Sequence, residues 1–292
     1  MPALSSTDAL LHRGGPFLFP VKKLHSGAAL AFVLGMAFTA SAVRAAEIVA
    51  HRGASYDAPE NTVVSQELAW KHGADAAEFD VRRTKDGQLA IMHDATTKRT
   101  AGRDAKFADL TLAELRTLDA GSWKDPKFAG EKVPKLDEML QHLAPGKRVV
   151  IHIYTGLEST ADLAAAIKRN KITPKQAAII SFDYEPISAI KKALPAFECL
   201  WLVNAPSSDP KKKEQNLSLD ELIQRCRAAK LNGLSFNMNF PLELDGAKKI
   251  HAAGLLFHVW TVDLPQIANR WIDLGVDSIT TNRAGWLREQ LK

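Results

Sequence analysis

Short β-branched runs alternate with segments of helical period along most of this 292-residue chain, and that alternation constrains the fold more than any other feature. Strands are predicted over Ile48–Gly53, Ala76–Thr84, Arg148–Tyr154, Ala177–Phe182, Glu198–Val203, Gly233–Asn237, Leu255–Val262 and Ser278–Asn282. Helix starts stand between them. Thr111-Leu-Ala-Glu114 and Ser218-Leu-Asp-Glu221 have the capping-box spacing, in which a hydroxyl and a carboxylate satisfy free backbone N–H groups. Asn61-Thr62 can cap the first helix, and Gly73, Gly254 and Gly275 stand where helices stop. Eight β/α units in about 250 residues match the count and size of a single (β/α)8 TIM-type barrel, an α/β fold. A doubly wound sheet is the runner-up, but no G-x-G-x-x-G or P-loop follows the first strand. The stretch Ala95–Lys147 is too long for one connection and is read as an excursion over the barrel mouth after the second strand. Pro206–Gln215, with three consecutive lysines, is read as a polar loop.

Residues 1–45 carry a different signal. Lys22 and Lys23 precede an apolar stretch from Ala28 to Val43, and small residues follow through Ala46. A positive flank, an apolar core too short for a membrane span of about 20 residues, and small residues at the end read as a secretory signal peptide. Cleavage is expected near residues 42–46, leaving a barrel domain over 46–292 with no stable membrane anchor, exported to the periplasm or the exterior. The formal charge of +5 falls to about +2 outside that segment, so the basic balance gives no argument for nucleic-acid binding. With 46% hydrophobic and 24% charged residues, the chain has the composition of a globular domain, which excludes a disordered one. In an exported protein Cys199 and Cys226 can pair or stay as separate buried thiols; both remain open.

Polar residues gather at the strand ends, where a β/α barrel places its active site. The first strand ends His51-Arg52-Gly53, and the second carries Glu78-Phe-Asp80-Val-Arg82. Side chains alternate faces along a strand, so Glu78, Asp80 and Arg82 share one. Two carboxylates so close are hard oxygen ligands suited to Mg²⁺ or Ca²⁺. Asp86-Gly87 is a hairpin signal. A two-residue turn there would set Thr84 opposite Leu89, Arg82 opposite Ile91 and Asp80 opposite His93, returning an imidazole to the carboxylates. Such an imidazole suits proton transfer near neutral pH.

His51-Arg52-Gly53, Ala58-Pro59-Glu60-Asn61-Thr62, Glu78-Phe-Asp80, Asp86-Gly87 and His93-Asp94 stand in the order seen in the glycerophosphodiester phosphodiesterase family, which the chain resembles from about Ile48 to its end. Trp260-Thr-Val-Asp263 and the closing Gly275-Val-Asp277 through Thr281-Asn282-Arg283 resemble the family's late segments. The resemblance implies a metal-dependent barrel enzyme that hydrolyses glycerophosphodiesters, small-molecule substrates, to glycerol 3-phosphate and an alcohol. It implies His51 and His93 as general acid and base, Arg52 on the phosphate, and Glu78 and Asp80 as ligands of one divalent ion, Mg²⁺ or Ca²⁺. It leaves Glu60 unassigned near the site and puts Trp260 on the glycerol side, where a barrel-core role is the bland alternative. The nucleophile is water or the substrate's own glycerol hydroxyl.

One departure stands out. The family's third strand ends I-E-I-K, with the Glu completing the metal site and the Lys contacting phosphate, whereas this chain reads Ile151-His152-Ile153-Tyr154. His152 would then point where a ligand belongs and Tyr154 where a phosphate contact belongs. Losing one anionic ligand weakens a hard-cation site and brings Mn²⁺ or Zn²⁺ into consideration. The alternative is a non-catalytic or altered-specificity barrel that binds a phosphorylated ligand.

Overall fold

The computed structural model describes residues 45–209 and 216–291. The expected signal peptide, apart from its last residue, and the lysines of the 206–215 loop lie outside them. Nine strands form one sheet: β1 (Glu47–Ala50), β2 (Ala76–Arg83), β3 (Leu89–Ile91), β4 (Arg148–Ile153), β5 (Ala177–Ser181), β6 (Glu198–Val203), β7 (Gly233–Asn237), β8 (Leu256–Trp260) and β9 (Ser278–Thr281). Eight are parallel and close on themselves in the order β1-β9-β8-β7-β6-β5-β4-β2, with β1 pairing β2. All eight strands expected from the sequence are these eight. β3 is a short antiparallel addition to β2.

Period-two alternation builds the barrel's two apolar layers. Val49, Ala76, Val150, Ala178, Ile180, Leu200 and Leu202 point inward and fill the interior. Val149, Ile151 and Ile153 on β4 point outward, against residues such as Leu163 and Ile167 of the helix Thr160–Arg169. Each fully buried aliphatic side chain stabilises by roughly 1.5–3 kcal/mol relative to exposure. Parallel strands buried on both faces therefore read as near-continuous apolar runs. Polar residues gather toward both ends of the interior, and Ser235 and His258 are buried between them. At the lower end Arg148 bridges Glu47 at 3.0 Å and Glu198 at 3.1 Å.

The helices begin as the sequence implies. Ser218 and Glu221 form a reciprocal capping box, with bonds of 3.3 and 2.8 Å, at the start of Leu219–Ala228. Thr111 and Glu114 do the same for the short helix Leu112–Leu115. The first helix, Val63–Lys71, is capped by Thr62 rather than by Asn61. The excursion contains only short helices, but it has a small core of its own, in which Phe107, Leu110, Leu115 and Val133 pack on Ala90 and Met92. Cys199 and Cys226 are free and buried, and burial pushes both thiols up to about 12. Among the described residues no helix is long and apolar enough to cross a membrane.

The hairpin register differs from expectation by one residue. Val81 pairs with Ile91, Arg82 with Ala90 and Arg83 with Leu89, and Met92 N–H donates to the Asp80 carbonyl. The loop has three residues, Lys85-Asp86-Gly87, closed by Thr84 N–H on the Gln88 carbonyl. Gly87 at φ 78° supplies the left-handed residue that such a loop needs. Asp86 instead accepts from Thr84 Oγ1 at 2.6 Å and from Leu112 N–H at 3.0 Å. His93 therefore does not pair with Asp80. It reaches the barrel mouth because the chain leaves the ladder after Ile91.

Candidate active site

At the carboxyl ends of the strands lies a cavity of about 270 Å³. His51, Arg52, Glu78, His93, His152, Tyr154 and Trp260 all line it, while Asp80 lies just behind, buried against His152 and Arg52. All eight residues singled out from the sequence thus meet at one place. Ile180, Phe182 and Leu202 form an apolar wall with Trp260, whose indole N–H donates to the Ser235 carbonyl at 3.0 Å.

The turn after β1 sets the first part of the site. Arg52 has φ 57°, a left-handed conformation that a non-glycine residue holds only when its surroundings fix it. Its N–H donates to Glu78 Oε2 at 2.8 Å, and its carbonyl accepts from Asn61 N–H and Ser65 Oγ, both at 3.0 Å. Gly53 follows because a Cβ there would collide with Ser65. The Arg52 guanidinium donates to Glu60 Oε1 at 2.8 Å and lies 3.3 Å from Asp80 Oδ2. Burial disfavours its charge, but Asp80, Glu60 and Glu78 outweigh that and raise its pKa.

The two histidines have unlike partners. His51 Nδ1 lies 2.7 Å from Asn282 Oδ1. The Asn282 amide is oriented by its Nδ2 donating to Asp263 Oδ2 at 2.7 Å, so Oδ1 accepts and His51 Nδ1 carries the proton. His93 Nδ1 lies 2.8 Å from Asp94 Oδ1, a carboxylate that can only accept when ionised. Arg99 hydrogen bonds hold the Asp94 carboxyl well below the usual range, so it is ionised. In both rings Nε2 is left as the free nitrogen. Sequence reasoning did not single out Asn282, Asp263 or Arg99. Asn282 and Asp263 stood inside the quoted segments, but their pairing depends on β9 lying beside β8.

Glu78, Asp80 and His152 are all buried, and their ligand atoms lie within 4.8 Å of one another. His152 Nδ1 is 3.0 Å from Asp80 Oδ1 and 3.6 Å from Glu78 Oε1. Asp80 Oδ1 and, on the other side of the ring, His152 Nε2 are buried polar atoms without a hydrogen-bond partner. Such atoms are costly to leave unsatisfied. Two carboxylates and an imidazole with spare lone pairs fit a divalent cation. Burial opposes charge on both groups. Even so, the close imidazole and Arg52 hold Asp80 below its ordinary range, and Asp80 and Glu78 push His152 up. Asn61 closes the back of the site, donating Nδ2 to Asp80 Oδ2 at 2.7 Å and accepting from Asp80 N–H at 3.0 Å.

Tyr154 presents a ring to the cavity. It lies edge-on to His93 at 5.3 Å and against His152 at 4.0 Å. The Arg82 guanidinium sits 4.6 Å over its face while donating to the His93 carbonyl at 2.9 Å. Burial, with Asp80 and Glu78 adding to it, pushes the Tyr154 hydroxyl far up, so it is a hydrogen-bond donor and not a base.

This fold has known counterparts. The profile of the glycerophosphoryl diester phosphodiesterase family matches residues 51–285. A glycerophosphodiester phosphodiesterase of Caldanaerobacter subterraneus subsp. tengcongensis is 33% identical over 242 residues, covering 80% of this chain and 93% of that one. Another from Bacillus subtilis is 32% identical over 255 residues, covering 80% and 82%. Among solved structures, an Oleispira antarctica phosphodiesterase in complex with the product sn-glycerol-3-phosphate superposes with a TM-score of 0.74 at 25% identity, covering 84% of this chain and 96% of that one. A glycerophosphodiester phosphodiesterase of Agrobacterium tumefaciens superposes at 0.67 with 28% identity, covering 84% and 99%. On the profile match across the barrel and two relatives above 30% identity, the chain belongs to the glycerophosphoryl diester phosphodiesterase family and is a phosphoric diester hydrolase.

Proposed function

We propose that the protein is an exported, metal-dependent enzyme that hydrolyses glycerophosphodiesters to glycerol 3-phosphate and an alcohol by histidine general acid–base catalysis. The observation that carries this reading is that His51 and His93 open on one cavity, each with Nδ1 tied to its own partner. His51, against a neutral amide, is the base that takes the proton of the nucleophile. His93, hydrogen-bonded to the Asp94 carboxylate, is the acid that protonates the departing alkoxide. Arg52 offers N–H donors to the phosphate. Tyr154 adds a neutral donor where the family implies a cation. Trp260 and the apolar wall exclude water from the opposite side. Glu78, Asp80 and His152 would hold the divalent ion, which supplies charge neutralisation at the phosphoryl oxygens. Export rests on the pattern of residues 1–45 alone.

The exchange of Glu and Lys for His152 and Tyr154 favours a second reading, a barrel that binds a phosphorylated ligand without turning it over. A binder has no need for two histidines with separately fixed tautomers, and this weighs for the enzyme.

Release of glycerol 3-phosphate from a glycerophosphodiester panel tests the proposal. H51Q and H93Q should each lower kcat by roughly 10²–10⁴-fold. Wild-type release that neither substitution slows would overturn the assignment.

A further inference from the structure

Arg99 lies in the short helix Lys98–Ala101 of the excursion and does not line the cavity. Its guanidinium nevertheless uses both of its planar edges. Nε and Nη2 grip Asp94 at 2.7 and 3.0 Å, and Nη1 and Nη2 grip Glu60, both at 2.8 Å. Asp94 holds His93, and Glu60 holds Arg52. A continuous chain of charge-assisted contacts therefore runs Arg52–Glu60–Arg99–Asp94–His93, with no step longer than 3.0 Å.

We infer that Arg99 is a positioning residue for the reaction, locking the phosphate-holding Arg52 and the acid–base His93 into one rigid unit. The inference rests on the roles proposed above for those two residues. An exposed ion pair alone would carry little. This one differs in two respects. Glu60 is largely buried and Asp94 half-buried, with side-chain exposures of 11% and 26%. The geometry is also twice bidentate, which only a guanidinium can supply. Each carboxylate must satisfy a site residue on one side, and Arg99 fixes the other side. Without it Asp94 can rotate away from His93, and Glu60 is free to follow Arg52 rather than hold it. A misplacement of about 1 Å can lower a rate by about 10²-fold. The excursion thereby acquires a role: its separate small core holds Arg99 over the junction between the β1 turn and the segment after β3.

The test is a comparison of purified wild type, R99Q, R99K and D94N, the double variant R99Q/D94N, and K98A. Lys98 carries a neighbouring surface charge that pairs with Asp104 at 2.8 Å, and it serves as the control. R99Q should lower kcat by roughly 10–100-fold and raise KM several-fold, with R99K recovering part of the loss. D94N should do less damage in the R99Q background than in wild type, because the two residues act through one contact. K98A should stay within about twofold of wild type. Effects of R99Q and D94N that simply multiply, or an R99Q enzyme within twofold of wild type, would overturn the inference. Calorimetric binding of sn-glycerol 3-phosphate separates it from the catalytic reading. If wild type binds without turnover, the hydrolytic reading fails and Arg99 is judged by affinity: several-fold weaker binding in R99Q supports the lock, and equal binding overturns it. If wild type neither binds nor turns over, both fall.

Discussion

His152 Nδ1 lies 3.0 Å from Asp80 Oδ1, across a ladder in which those two residues are directly paired. The imidazole thus occupies the third-strand position where the family resemblance implies a glutamate. A site with one fewer anionic ligand should bind hard cations less well and tolerate Mn²⁺ or Zn²⁺. H152E should shift preference toward Mg²⁺ or Ca²⁺, with their affinity rising roughly 10–100-fold in metal titrations of stripped protein. An unchanged metal profile would mean that His152 only packs in the barrel.

Replacing the neutral partner of His51 should move the pH profile in a defined direction. In N282D a carboxylate would face Nδ1, stabilise the imidazolium and raise the histidine pKa. A general base must be neutral to act, so the rising limb of kcat/KM should move to higher pH. A limb that stays in place would remove His51 from the role of base.

Stability should fall in mild acid through a group far from the chemistry. His258 is buried inside the barrel, 3.9 Å from Glu198 and packed near Arg148 and Ser278. Burial holds its imidazole below the ordinary value of 6.5, outweighing Glu198, Glu47 and Asp277, while Arg148 adds to the depression. The unfolded chain then takes up a proton near pH 6.5 that the folded chain refuses. The stabilisation is complete above that pH and is lost as pH falls below it, at up to about 1.4 kcal/mol per unit. Urea unfolding of wild type and H258Q from pH 7.5 to 5.5 should show a shallower slope in the variant; parallel slopes would contradict this.

The two cysteines should be inert in the native protein. Both are buried with thiols pushed up to about 12. A thiol reagent should modify neither within minutes at pH 8 and both after unfolding, and a reductant should leave the Tm unchanged. Rapid labelling of folded protein would contradict the buried, separate thiols.

Much of the fold was legible because parallel strands buried on both faces leave apolar runs, as in Val149–Ile151 and Ala177–Ile180. The ends of those runs exposed His51, Glu78, Asp80 and His152 as candidates. The register of the β2–β3 hairpin was not legible, since Asp-Gly serves a two-residue turn and a three-residue loop alike, and only the strand pairing decides. Arg99 was invisible for a related reason. Its partners Glu60 and Asp94 are 39 and 5 residues away, and nothing local in Thr97-Lys-Arg-Thr marks a residue that joins them. Thr62 rather than Asn61 caps the first helix because Asn61 has a better partner in Asp80, a contact only the closed barrel creates.

The most direct test of the account is glycerol 3-phosphate release by metal-stripped protein, with Mg²⁺, Ca²⁺, Mn²⁺ or Zn²⁺ added back singly. The account predicts no release without metal and restoration by at least one ion, with E78Q and D80N abolishing the response. Release that is full in the stripped protein and indifferent to all four ions would contradict it.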